Sequence, residues 1–158
     1  GWVEPAEGLI DHPLDGGPGK PVKKDARTRY RQLATGELPV ACAGFPTARF
    51  GLLECSPQTG RFRQIRRHLK HLHHHLIGDT SHGDGQRNRM FRIELGVHRM
   101  LLHAWRLRFP HPEDGRTIDV RAPLDADWTK VVERFGWANA LDAANTAPDA
   151  APPQHAPP

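Results

Sequence analysis

The sequence predicts an α+β fold built on a mainly antiparallel mixed β-sheet with flanking helices. Three observations favour this class. Segments that alternate like strands outnumber segments with helical spacing, short turns join several of them, and no internal repeat runs through the 158 residues. The length of the chain and its 37% of hydrophobic residues are together sufficient to bury a core as one domain.

Four segments have the pattern of β-strands. Residues 27–33 follow a Gly/Pro/Lys loop at residues 15–25, and residues 49–55 are closed by a Ser-Pro-Gln-Thr-Gly turn. Residues 101–109 alternate between an apolar and a more polar face, and prolines mark their end. Residues 117–120 then return as the second strand of a hairpin. These segments predict strands that pair antiparallel with their neighbours.

Two segments have helical spacing. In residues 59–78 apolar side chains recur every three or four positions, and Gly78 is a plausible stop. Residues 125–135 repeat the pattern and predict a closing helix, whereas residues 138–158 are rich in Ala and Pro and predict a disordered tail. The first helix is expected to present an apolar stripe of Phe62, Ile65, Leu69, Leu72 and Leu76, opposite a cationic face of Arg63, Arg66, Arg67 and Lys70.

Positive charge is concentrated in one part of the chain. The formal net charge is +4, and residues 55–78 contain Lys and Arg but no acidic residue. Such a stretch attracts polyanions, of which nucleic acid is the commonest, and a solvated basic face is the alternative. Two cysteines without C-x-x-C spacing favour a reducing compartment, and no apolar run is long enough to span a membrane. We therefore expect a cytoplasmic protein that does not bind membranes.

Two further groups of polar residues could carry chemistry. His68, His71 and His75 share one flank of the first predicted helix at a spacing that could hold a divalent cation. No acid or cysteine in that helix completes the site, and the adjacent cationic side chains oppose a cation, so we expect no metal. Residues 78–88 are predicted to form a flexible loop held by Asx hydrogen bonds. The alternative is an acid/base set without a nucleophile, made of Asp79, His82 and Asp84.

Several motifs, in order along residues 1–137, resemble one family. Residues 59–66, TGRFRQIR, resemble the T-G-R-x-H-Q-[IL]-R motif of the RluA-type RNA pseudouridine synthases, and HLIGD follows at the family's spacing. Residues 99–104, RMLLHA, resemble the family's R-L-x-L-H-A strand, with an HPEDG turn after it. Residues 79–89 are especially similar to the tRNA pseudouridine synthase C branch. The family's first motif has His where this sequence has Arg63.

The resemblance implies an isomerase that converts uridine to pseudouridine in RNA without cofactor or metal. In this family an Asp in an H-R-L-D motif performs the key chemistry on the ribose, and the uracil detaches, rotates and rejoins through carbon 5. The arginine that Arg66 matches is expected to hold this carboxylate ionised and aimed. The present sequence contains no H-R-L-D. The resemblance therefore predicts the C-terminal portion of a catalytic domain, truncated at Gly1 and inactive by itself.

The partner that the resemblance implies is RNA, with tRNA favoured over ribosomal RNA. The target uridine must leave its stack to reach the pocket. A non-catalytic basic RNA-binding module is the alternative function, and a metal-binding His-rich protein is a third hypothesis. The residues expected to contact RNA are Arg61, Arg63, Arg67, His68 and Lys70.

Overall fold

The central sheet has three antiparallel strands in the order β1-β4-β5. The computed structural model describes residues 1–146, and in it β1 spans Glu7–Asp11, β4 spans Arg27–Leu38 and β5 spans Ala48–Pro57. The strands predicted at residues 27–33 and 49–55 are thereby confirmed. Both are longer than predicted, because they pair with each other along almost their whole length.

Two short hairpins complete the strand content. Leu14–Asp15 (β2) pairs with Lys23–Lys24 (β3), and Arg106–Pro110 (β6) pairs with Thr117–Arg121 (β7), both antiparallel. The return strand predicted at residues 117–120 is confirmed as β7. The strand predicted at residues 101–109 is wrong in its first half, because residues 101–105 pair with no strand within the described part of the chain. A cleft of about 810 Å³ has these residues on one side and β5 on the other.

Two of the helices correspond to predicted ones. Ala126–Phe135 (α3) confirms the closing helix, and Asp125 caps it by accepting a hydrogen bond from the Trp128 backbone N–H at 3.0 Å. Gln64–His71 (α1) confirms a helix after the Thr-Gly turn but is shorter than predicted. It ends before Gly78 because His73 takes a left-handed backbone conformation, with φ 59°.

Two helices were not predicted. Gly85–Leu95 (α2) begins inside the segment expected to be a flexible loop, and its apolar residues Met90 and Phe91 are buried. Ala138–Thr146 (α4) occupies the start of the predicted tail, and its Ala144 is only 7% exposed. The expectation of disorder is therefore wrong for α4, because this helix packs against the core. The remainder of the predicted tail, residues 147–158, lies outside the described residues.

Two apolar clusters hold these elements together. The larger one packs β4 and β5 against α2, α3 and α4, and its aromatic rings include Phe50, Phe91 and Phe135. The smaller one lies under α1, where Leu69 packs with Tyr30. This second cluster seats the apolar side of α1 on the sheet. No helix within residues 1–146 is long and apolar enough to cross a membrane.

Candidate active site and nucleic-acid interface

The turn before α1 is tied to the central sheet by Gln64, which is 5% exposed. Its Nε2 donates to the Arg27 carbonyl oxygen at 2.9 Å and to Thr28 Oγ1 at 3.0 Å. Its Oε1 accepts from the Arg61 backbone N–H at 3.0 Å and from the Thr59 hydroxyl at 2.7 Å. All four hydrogen bonds that an amide can make are formed. Gln64 therefore fixes where α1 begins and in which direction the following arginines leave it.

Arg66 is bound by a carboxylate from the turn beyond the helix. Its Nε donates to Asp79 Oδ2 and its Nη2 donates to Asp79 Oδ1, both at 2.7 Å. The Asp79 side chain is fully buried, whereas that of Arg66 is 17% exposed. A two-pronged pair fixes the plane of the guanidinium as well as the place of its charge. Within residues 1–146 Nη1 of Arg66 makes no hydrogen bond, so one edge of the guanidinium remains available.

The surroundings of Asp79 keep its carboxylate ionised. Burial by itself raises the pKa of Asp79, but the Arg66 guanidinium and the backbone N–H groups of His82 and Ser81 outweigh it, so the pKa lies well below its usual range. A carboxylate saturated with donors is a poor base. Asp84 caps α2 instead of joining an acid/base set. These contacts make Asp79 a holder of Arg66 rather than a reacting acid.

Two glycines in the segment that carries Asp79 have no room for a side chain of their own. Gly78 donates its N–H to Asn88 Oδ1 at 2.7 Å, and Asn88 Nδ2 donates to the Asp79 carbonyl oxygen at 3.0 Å. A Cβ atom on Gly78 would lie 2.0 Å from the Arg99 carbonyl oxygen, and one on Gly83 would lie 2.0 Å from the Asp79 carbonyl oxygen. The segment predicted to be flexible is therefore a tightly packed support for Asp79. The predicted Asx hydrogen bonds are confirmed, because the Asp79 carboxylate accepts from the turn that follows it.

The predicted cationic face of α1 is divided between inward-directed and exposed side chains. Arg67 donates from Nη1 to the Asp15 carbonyl oxygen at 3.0 Å and from Nη2 to Asp15 Oδ2 at 2.8 Å. Arg66 is bound by the Asp79 carboxylate. The prediction of one outward cationic face is therefore wrong for these two arginines, because Arg66 binds Asp79 in the turn beyond the helix and Arg67 binds Asp15 of β2. The exposed members of the face are Arg63 and Lys70.

His68 does not reach the surface. Its exposed fraction is 0%, its Nδ1 lies 2.8 Å from Thr28 Oγ1, and its Nε2 lies 3.0 Å from the His12 carbonyl oxygen. Burial lowers the pKa of His68 and favours the neutral ring. The prediction that His68 contacts RNA is wrong, because a fully buried ring cannot touch a macromolecule. Contacts of Arg61, Arg63, Arg67 and Lys70 with RNA stay predictions.

The histidines of this region do not converge. His71 stacks on His12 with ring centroids 3.8 Å apart, and His74 and His75 follow the end of α1. Among residues 1–146, no group of three or more His, Cys, Asp or Glu side chains is arranged to hold a metal ion. Residues 1–146 therefore offer the metal-binding hypothesis no site.

Comparison with curated proteins finds relatives along almost the whole chain. A "tRNA pseudouridine synthase C" of Vibrio vulnificus (strain CMCP6) is 43% identical over 154 residues, covering 92% of this chain and 62% of that protein. A second, of Vibrio cholerae serotype O1, is 44% identical over 150 residues, covering 89% of this chain and 61% of that protein. This chain is related to the tRNA pseudouridine synthases. It spans about three fifths of the length of these relatives. No family model matches the chain.

The fold has a counterpart among solved structures. "Human RNA Pseudouridylate Synthase Domain Containing 1" aligns with 96% of this chain and 64% of that one, with a TM-score of 0.59 and 24% sequence identity. At this identity the likeness concerns the fold alone. The predicted α+β class and the predicted resemblance to a pseudouridine synthase catalytic domain are both confirmed.

Proposed function

We propose that this chain carries the arginine-bearing part of an RNA pseudouridine synthase, an isomerase that converts uridine to pseudouridine, with tRNA as the favoured substrate. The observation that carries the proposal is the pairing of Arg66 with Asp79, which leaves one guanidinium edge uncommitted. The relatives named tRNA pseudouridine synthase C support the reaction and the RNA class. We place the activity in the cytoplasm, where two free cysteines remain reduced.

The proposed role of Arg66 is to aim a second carboxylate. Asp79 occupies Nε and Nη2, so the guanidinium plane is fixed before any substrate arrives. The Nη1 edge can then donate to the reacting Asp that the resemblance places in an H-R-L-D motif outside this sequence. The positive charge of the guanidinium favours the ionised form of each carboxylate that it touches. Asp79 is on this account a positioning residue, and it does not touch the uridine.

Release of tritium from tRNA transcripts labelled at carbon 5 of uridine tests this proposal. The chain is assayed alone and as a chimera, in which the part of the Vibrio vulnificus relative that precedes the aligned region is fused before Gly1. We expect turnover by the chimera and none by the chain alone. Turnover by the chain alone would place the nucleophile among these 158 residues and contradict the role given to Arg66.

Substitution of Arg66 separates the enzyme from its alternative. In the chimera, Arg66→Lys should lower kcat/KM by about 100-fold or more, because an ammonium cannot fork onto Asp79 and also reach a second carboxylate. The matched control is Arg92→Lys, since Arg92 is exposed on α2. A folded chimera that binds tRNA without isomerising it would overturn the proposal and favour the non-catalytic RNA-binding module.

A further inference from the structure

The Gly/Pro/Lys segment that sequence alone leaves as a loop has an ordered backbone. We call residues 14–25 the lysine hairpin; they comprise β2, β3 and the turn between them. The turn is closed by a hydrogen bond from the Gly16 N–H to the Lys20 carbonyl oxygen and one from the Lys20 N–H to the Gly17 carbonyl oxygen, both at 3.0 Å. At its base the His12 N–H donates to the Ala26 carbonyl oxygen at 3.2 Å. The hairpin therefore presents its side chains from a fixed frame.

Two arginines clamp the lysine hairpin onto the start of α1. Arg67 reaches the first strand and binds both the carbonyl oxygen and the carboxylate of Asp15. Arg61 reaches the other end and donates from Nε to the Asp25 carbonyl oxygen at 2.9 Å. Because Arg67 neutralises the Asp15 carboxylate, Asp25 is the one remaining acid of residues 14–25, set against three lysines.

A ring contact holds the turn as well. A Cβ atom on Gly17 would lie 2.8 Å from Phe62 Cδ1, so the Gly17 backbone rests directly on the Phe62 ring just before α1. The lysines themselves are exposed, and none of them has an ion-pair partner within the described part of the chain. They are Lys20, Lys23 and Lys24.

The lysine hairpin and the Arg66 site lie on the two flanks of one helix. His12 stacks on His71, and burial followed by the positive charges of His71, Lys23 and Arg67 lowers the pKa of His12. Lys23 is thus close enough to the His12 ring, which stacks on His71 of α1, to act on its pKa. Arg66 leaves the helix one residue earlier, at about 100° from Arg67. The hairpin, held by Arg67, therefore lies on the flank of α1 next to the flank that carries the Arg66 site.

We propose that the lysine hairpin binds the sugar-phosphate backbone of the RNA beside the nucleotide held at the Arg66 site. This inference rests on the proposed function. Ammonium groups suit phosphates as point charges, and a fixed hairpin loses little conformational freedom on binding. Residues 14–25 contain no aromatic side chain on which a base could stack. The contacts are therefore to phosphates and independent of sequence.

Salt-dependent binding of tRNA by the 158-residue chain tests the inference. The variant Lys20→Gln/Lys23→Gln/Lys24→Gln removes three charges, and the control Arg116→Gln/Lys130→Gln/Arg134→Gln removes the same number from α3 and the β6–β7 turn. Loss of three phosphate contacts should lower the slope of log affinity against log salt by about 2, because single-stranded RNA releases about 0.7 counterions per contact. Between about 1 M and 0.1 M salt, that change in slope amounts to a difference of about 100-fold in affinity.

A second variant tests the fixed geometry without changing charge. Gly17→Ala keeps every lysine but places a Cβ atom against the Phe62 ring and strains a residue with φ 96°. It should weaken tRNA binding while leaving the thermal unfolding of the remaining fold close to that of the parent chain. If Gly17→Ala binds tRNA as the parent does, the fixed hairpin is not what presents the lysines, and the inference fails.

The outcomes separate the inference from the function on which it rests. Equal loss in the lysine variant and the control, or no loss in the lysine variant of a chain that binds tRNA, overturns the hairpin alone. Failure of the parent chain to bind tRNA overturns the hairpin and weakens the proposed function, whereas binding by a chimera that releases no tritium overturns only the function. Displacement of tRNA by poly-L-glutamate at equal charge concentration would identify a general acidic partner and contradict the inference.

Discussion

Replacing Asp79 by Asn removes the charge that holds Arg66 while keeping the shape of the side chain. The amide oxygen can still accept from Ser81 and His82, but the amide NH2 then faces an N–H donor of Arg66. Breaking a buried ion pair by removing one partner costs about 3–5 kcal/mol. The Arg66 side chain is 17% exposed and gains some compensation from water, so the lower end of that range, about 3 kcal/mol, applies.

Thermal unfolding of the 158-residue chain followed by circular dichroism measures this cost. For a chain of this length about 1 kcal/mol corresponds to about 2–4 °C, so Asp79→Asn should lower Tm by about 6–12 °C. The matched control is Asp84→Asn, five positions along the same loop. Asp84 caps α2 by accepting from the Arg87 N–H, and Asn caps a helix about as well as Asp, so its Tm should change little.

The pH dependence of the difference gives a second check. The pKa of Asp79 is lower in the folded chain than in the unfolded chain, so the unfolded chain takes up the proton first as the pH falls. The stability that the pair contributes is fully present above about pH 4 and declines below it. The gap in Tm between the parent chain and Asp79→Asn should therefore narrow in acid. A gap that stays constant down to about pH 2, or an Asp79→Asn chain as stable as Asp84→Asn, would refute the account of this pair.

Two further outcomes follow from the packing. Gly78→Ala should destabilise the chain in urea by clearly more than Gly19→Ala: both positions have a left-handed backbone that costs an L-residue about 1–2 kcal/mol, but only at Gly78 does the new Cβ meet a carbonyl oxygen, that of Arg99. Equal losses would contradict the close approach. Burial, followed by the charge of Glu54, raises the pKa of Cys55 to about 12, so about 1 thiol in 10,000 is ionised at pH 8. Cys55 should resist a thiol reagent until urea unfolds the chain, and rapid labelling of the native chain would contradict its placement.

The part of the fold that follows from local pattern was predictable. The β4–β5 hairpin and α3 repeat their hydrophobic period clearly, and Asp125 and Gly136 stand at the two ends of α3 as capping residues do. Segments whose structure depends on distant partners were not. Residues 101–105 alternate like a strand, yet a strand forms only where a neighbour pairs with it, and a cleft lies between them and β5. The helix α4 has the composition of a tail, but Leu141 and Ala144 find the core.

The sequence motif predicted which arginine belongs to the candidate site, but not which residues that arginine contacts. The resemblance singled out Arg66, but the spacing of Asp79, thirteen residues away, says nothing about which acid a guanidinium will reach. Gln64 was visible only as one letter of a motif, although it makes the hydrogen bonds that seat the helix. His68 was assigned to the surface because its neighbours are basic. The burial of His68 follows from its position on the helix, because it lies beside Leu69 over the sheet and contacts Thr28 of β4.

The two neighbouring arginines explain why α1 is so firmly placed. Successive residues of a helix point about 100° apart, so Arg66 and Arg67 cannot serve the same side. One holds the Asp79 turn and the other holds the lysine hairpin through Asp15. A rotation of α1 by one residue would break both ion pairs at once, and Gln64 at its start opposes such a rotation with four hydrogen bonds. The packing of this short helix thus fixes two things together. It sets the orientation of the Arg66 guanidinium, and through Arg67 it sets the position of the lysine hairpin that we propose binds RNA.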